Sequence, residues 1–118
     1  MGAGATNADG SSNPVALWLV QEAKNKLGEA LNKLGLDSQK INGKHLATYS
    51  MDDLQLEKKK VKNELKYYDQ AFQLRFSRLP NRNEKEPMRQ IYMYYKRLKQ
   101  YIQKSSVSGG TLSGVNPP

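Results

Sequence analysis

The side chains of this sequence that could do chemistry are mostly cations. Lys58, Lys59, Lys60 and Lys62 stand almost together, and Lys96, Arg97 and Lys99 follow later among Tyr92, Tyr94 and Tyr101. Ammonium and guanidinium groups at this density can pair with carboxylates, lipid headgroups or phosphates, and a tyrosine beside cations can stack on bases. The same tyrosines can instead pack their rings at a helix edge while their hydroxyls stay wet, and that packing is the expectation here. A lysine run is often only a solvated helix face, and Glu57, Glu64 and Asp69 partly offset this one.

Catalytic constellations are missing. There is no cysteine, hence no disulfide framework and no thiolate metal site, which suits a reducing intracellular compartment. Neither GxxxxGK[ST] nor HExxH occurs. His45, the one histidine, lies in a stretch with no sustained period and reads as an ordinary loop residue. The pairs Asp52/Asp53 and Glu84/Glu86 fall where helix starts want negative charge, so structure already explains them. The expectation is a protein that is not an enzyme and carries no cofactor or metal.

The elements that must position the cations are legible as apolar stripes. Val61, Leu65, Tyr68, Phe72 and Phe76 recur at helical spacing, as do Met88, Ile91, Tyr95, Leu98 and Ile102. The short basic turn from Ser77 to Asn83 joins them, so the two stripes must fold back on each other as a helical hairpin over 50–104. Ser50 to Asp53 resembles a capping box ahead of a helix from Met51 to Phe76. The second helix starts near Asn83 or Glu86 and runs to about Lys104, with Pro87 suited to a first turn. The predicted hairpin core is Val61, Leu65, Tyr68, Phe72, Met88, Ile91, Tyr95 and Leu98.

Ahead of the hairpin, Asn13 and Pro14 mark another helix start, over residues 13–35. Its stripe is Ala16, Val20, Ala23, Leu27, Ala30 and Leu34, widened by Leu31; Gly28 weakens it by ~1 kcal/mol and Gly35 is a natural stop. Trp18 lies beside this stripe, so Leu17, Trp18 and Leu19 could meet a partner protein or enter a membrane surface as readily as the hairpin. Residues 36–49 read as a connector, and 1–12 and 105–118 as a disordered leader and tail. Met1 to Thr6 also fits a myristoylation template with Gly2 as acceptor. No run approaches a membrane span.

The chain has 118 residues and a formal charge of +8. Nearly all the excess lies on the hairpin, where nine Lys and five Arg face seven acidic residues from Met51 to Lys104. The fold class is therefore all-α: an antiparallel helical hairpin plus a preceding amphipathic helix, a small three-helix bundle with disordered termini. The candidate anion-binding or partner surface is Lys58, Lys59, Lys60, Lys62, Arg75, Arg78, Arg82, Arg89, Lys96, Arg97 and Lys99, motivated by the charge asymmetry.

Several hairpin motifs carry a likeness to a known family. Glu57 to Asp69, then Phe72, Arg78-Leu79-Pro80, Glu84-Lys85-Glu86-Pro87-Met88-Arg89, Ile91-Tyr92, Tyr95-Lys96 and Leu98-Lys99 resemble the repeated C-terminal helical segment of the FAM-thirteen family, relatives of Rho-GTPase-activating proteins. The likeness covers about Ser50 to Ile102, and Ser77 stands where that family usually has glycine. It implies an interaction module in intracellular, Rho-GTPase-related signalling, cytoplasmic rather than nuclear, without catalysis. The plan is more loosely similar to the N-terminal homeodomain-like segment of the fourth RecQ-type helicase and a related yeast replication-initiation protein, which implies nucleic-acid binding as the alternative. Three partner classes follow: another protein first, then nucleic acid, then an anionic membrane surface.

Overall fold

The computed structural model describes residues 13–110, with side chains as far as Ser105. The expectations for the 1–12 leader, for Gly2 and for residues 111–118 lie outside the described residues. Among the described residues, four α-helices and two short 3-10 helices follow in order: α1 (Pro14–Val20), α2 (Glu22–Leu34), a 3-10 helix (Lys44–Thr48), α3 (Met51–Phe76), a second 3-10 helix (Asn83–Met88) and α4 (Arg89–Gly110). There is no strand among the described residues, and the architecture is a small all-α bundle. α3 and α4 form the expected hairpin, and α2 lies along one side of it, tied by Lys33 to Glu64 at 3.9 Å.

The first helix is two. Asn13 caps it as read from the sequence, its Oδ1 accepting from the amides of Val15 and Ala16. At Gln21, however, φ −113° and ψ −71° interrupt the helix. The inward positions then step from Trp18 to Ala23, five residues rather than three or four, before resuming at Leu27, Ala30 and Leu34. Reading one unbroken period put Val20 on the apolar stripe; it is 56% exposed. Trp18 takes the inward place instead, packed edge-on against Tyr68, Phe72 and Phe76 with centroids 5.4, 5.3 and 6.0 Å away. α2 stops at Gly35 in the left-handed region (φ 65°), with Gly35 N–H donating to Asn32 O and Leu36 N–H to Leu31 O, a Schellman motif that turns Leu36 into the core.

The core of the hairpin follows the predicted stripe with one change. Val61, Leu65, Tyr68, Phe72, Met88, Ile91 and Leu98 are buried, but Tyr94 is fully enclosed and Tyr95 only half-buried. Both fit a helical period; Tyr94 is drawn in because the Lys44–Thr48 helix, absent from the sequence reading of 36–49, lies over it. That segment buries Leu46 and brings Gly43 under Arg97, so closely that a Cβ on Gly43 would sit 2.9 Å from Arg97 Cδ, at a φ of 80°. α4 continues six residues past Lys104, to Gly110, so the helix enters the segment read as tail.

Candidate anion-binding face

The turn between the long helices fixes how α3 and α4 present their cations. Ser77 closes α3 in the left-handed region (φ 60°, ψ 25°), its N–H donating to Gln73 O at 2.7 Å, so this turn forms without glycine. Glu84 then ties the turn together. Its carboxylate accepts two hydrogen bonds from Arg78, at 2.7 and 2.8 Å, and one from the Asn81 amide. Asn81 Oδ1 accepts from the Glu84 amide in return, a capping-box exchange that starts the second helix as a 3-10 turn at Asn83. Below it, the buried Tyr68 hydroxyl donates to Glu84 O at 2.6 Å. The Arg78 fork beside Glu84 holds its carboxyl down to about 2. Arg78 also lies over the Phe72 ring at 5.1 Å, so this guanidinium is already committed inside the turn.

A second polar group lies at the opposite end. Tyr94 donates its hydroxyl hydrogen to Glu57 Oε2 (2.8 Å) and stands 3.1 Å from His45 Nε2. With that hydrogen committed, Nε2 is placed to donate to the Tyr94 oxygen, and Nδ1 is buried with no partner among the described residues. His45 stacks on Tyr94 and meets Tyr49 edge-on. It is therefore a packed member of the fold and not the ordinary loop residue its sequence context suggested. Burial, then the Glu57 bond, pushes the Tyr94 hydroxyl up, and no group of three His, Cys, Asp or Glu able to hold a metal exists among the described residues.

These contacts divide the hairpin into two sides. α2 covers the flank of α3 that carries Glu64 and Tyr67, and the Lys44–Thr48 helix covers the flank of α4 that carries Tyr94 and Arg97. Among the described residues, no other element covers the opposite side of the hairpin. Successive helical residues are about 100° apart, so Lys58, Lys62 and Lys66 form one row of α3 along this groove, with Lys59 at its outer edge. From α4 come Lys96 and Lys99, above Tyr92 and Tyr95. Lys85 lies over Tyr92 at 5.9 Å and Lys99 over Tyr95 at 5.0 Å. Asp69 sits in the floor with a buried, unpartnered Oδ1; burial pushes its carboxyl up and Lys85 draws it down. Burial also pushes the Tyr92 hydroxyl up to about 12.

The predicted cations thus separate. Lys58, Lys59, Lys62, Lys96 and Lys99 share the open face, and none of them is in an ion pair among the described residues. Arg89 stands at its rim, paired with Glu86 at 3.4 Å. Lys60 points roughly 200° away from Lys58, Arg97 lies across Gly43 on the covered side, Arg75 rests over Phe76 at 5.1 Å, and Arg78 and Arg82 belong to the turn. Lys66 and Lys85 were not among the candidates; the four-residue step from Lys62 was the available signal for Lys66. Among the apolar contact candidates, Leu17 is exposed, Leu19 is partly buried against the core and Trp18 is inside it. The burial of Trp18 corrects its reading as a residue offered outward: the irregular step at Gln21 rotates it inward. No helix of the described residues is long and apolar enough to cross a membrane.

A family model described as the FAM13A-like domain matches residues 44–108, more than half the chain. The chain belongs to this family. No curated protein and no solved structure matches it. The FAM13A-like segment begins at Lys44, six residues before the likeness read from sequence, and so takes in the short helix that carries His45 and Leu46. It contains the whole lysine face and the Arg78–Glu84 turn, whereas α1 and α2 lie outside it.

Proposed function

We propose that this chain is a non-catalytic, basic helical protein-interaction module acting in intracellular, Rho-GTPase-related signalling. The observation that carries this reading is the row Lys58, Lys62 and Lys66 beside Lys96 and Lys99, on the side of the hairpin that no other described helix covers, none of them in an ion pair among the described residues. Charges left without partners add little to folding, while they favour and steer an anionic partner. FAM13A-like membership supports the signalling context, and Glu84 and Tyr94 are engaged in holding the fold.

The test is capture on the immobilised full chain from nuclease-treated extract, with the Lys62→Glu/Lys96→Glu variant in parallel. Proteins retained by the parent and lost by the variant support the module. Retention that ignores the variant overturns the face as the site. Nucleic-acid binding is the second reading, because the same lysines could contact phosphates. It predicts duplex or single-stranded DNA binding that survives near-physiological salt and is lost in the variant. Membrane association through the first helices has weaker support, since Trp18 is turned inward; absence of co-sedimentation with anionic vesicles removes it.

A further inference from the structure

We infer that the open lysine groove receives an acidic amphipathic helix from another protein. The inference rests on the protein-interaction reading above and names the class of partner. Its first support is spacing: Lys58, Lys62 and Lys66 rise about 6 Å apart along α3, the interval between carboxylates at every fourth position of a helix. Lys96 and Lys99 supply a second cationic row on α4, so a helix laid between the rows meets cations on both flanks. Its second support is the floor, where the half-buried rings of Tyr92 and Tyr95 offer apolar surface to the middle of a partner's stripe. The fold already uses this geometry once, since α2 fills the opposite side with Ala30 and Leu27 against the core and Lys33 on Glu64.

The floor also argues against a nucleic acid as occupant. Lys85 and Lys99 lie over the Tyr92 and Tyr95 rings, so a base could stack there only by displacing them, while aliphatic side chains need reach only the parts of the rings left exposed. Asp69 in the floor and Glu86 at the rim place carboxylates where phosphates would lie. A helix can direct its carboxylates at the lysines and away from Asp69, whereas a phosphate backbone carries its charge along its whole length.

The experiment is a fluorescence-anisotropy titration of the full chain with a labelled helical peptide of roughly 20 residues, built with a Leu stripe flanked by Glu at every fourth position. Two further probes are the same peptide with two central prolines and a short DNA duplex. Lys62→Glu/Lys96→Glu is compared with Lys60→Glu/Lys104→Glu, a charge-matched pair off the groove; circular dichroism and thermal melting check that both fold. The expected result is at least about tenfold weaker peptide binding in the groove variant, near-parental binding in the control variant, and weak binding of the proline peptide and the duplex at about 0.15 M salt. Equal losses in the two variants overturn the groove. Equal binding of the proline peptide overturns the helical partner and leaves the protein-interaction reading standing. Tighter binding of the duplex than of the peptide overturns both.

Discussion

Ser77 and Glu84 bear on the same turn from opposite directions. Ser77 holds a left-handed conformation (φ 60°) that costs an L-residue roughly 1 kcal/mol. Ser77→Gly is therefore expected to raise unfolding free energy by about 0.5–1 kcal/mol, read as a higher urea midpoint at unchanged slope. Glu84 accepts three hydrogen bonds and is 9% exposed, and its carboxyl is lowered from 4.5 to about 2 chiefly by Arg78. A native carboxyl held below its unfolded value stabilises the fold above the unfolded pKa and loses that contribution as pH falls through the folded one. Stability from this group should thus be full above pH 4.5 and fade toward pH 2, by on the order of 1 kcal/mol, because solvent screens the pair at the half-exposed Arg78. Asp69, raised by burial, works the other way in the acid range. Glu84→Gln isolates the effect: the stability gap between parent and variant should close on acidification. A gap that stays constant from neutral pH to pH 2 removes the Arg78–Glu84 pair as its cause.

The helices α1 and α2 show how far periodicity carries a reading. Their existence, Asn13 at the start and Gly35 at the end were legible because caps and stops act through nearest neighbours. The break at Gln21 was not, because nothing in Leu19-Val20-Gln21-Glu22 marks it locally; it arises where Trp18 turns in toward Phe72 and Phe76. Tyr94 and Tyr95 pose the same problem, as both satisfy the helical period and only the Lys44–Thr48 helix, formed by a segment with no period, decides which is enclosed. The lysine face was legible as charge, not as geometry: consecutive lysines diverge around a helix, so Lys60 leaves the face that Lys66 joins. Trp18→Ala is the direct test of the packing. It should destabilise the chain by about 3–5 kcal/mol, measured by denaturant unfolding, whereas Leu17→Ala, at a 44% exposed position, should change stability by less than about 0.5 kcal/mol. Similar effects of the two would mean that Trp18 does not seal the core.

Across the whole molecule, charge and cover are distributed unequally around one hairpin. Its two broad sides differ because one is occupied by α2 and the Lys44–Thr48 helix and the other is lined by lysines. The FAM13A-like match ends its upstream reach at Lys44, yet the side chain that caps Tyr68, Phe72 and Phe76 is Trp18. The segment matched by the family model and the packed core therefore have different edges in this protein. A fragment of residues 44–108 would keep every residue of the family pattern and lose the lid on its aromatic cluster. Such a fragment should bind a hydrophobic dye such as ANS and melt below the full chain, and adding a peptide of residues 13–35 in trans should reverse both effects. If the fragment is as stable as the full chain and dark to the dye, the first two helices are passengers. If the peptide restores it, the wall that closes this hairpin can be supplied by a separate chain.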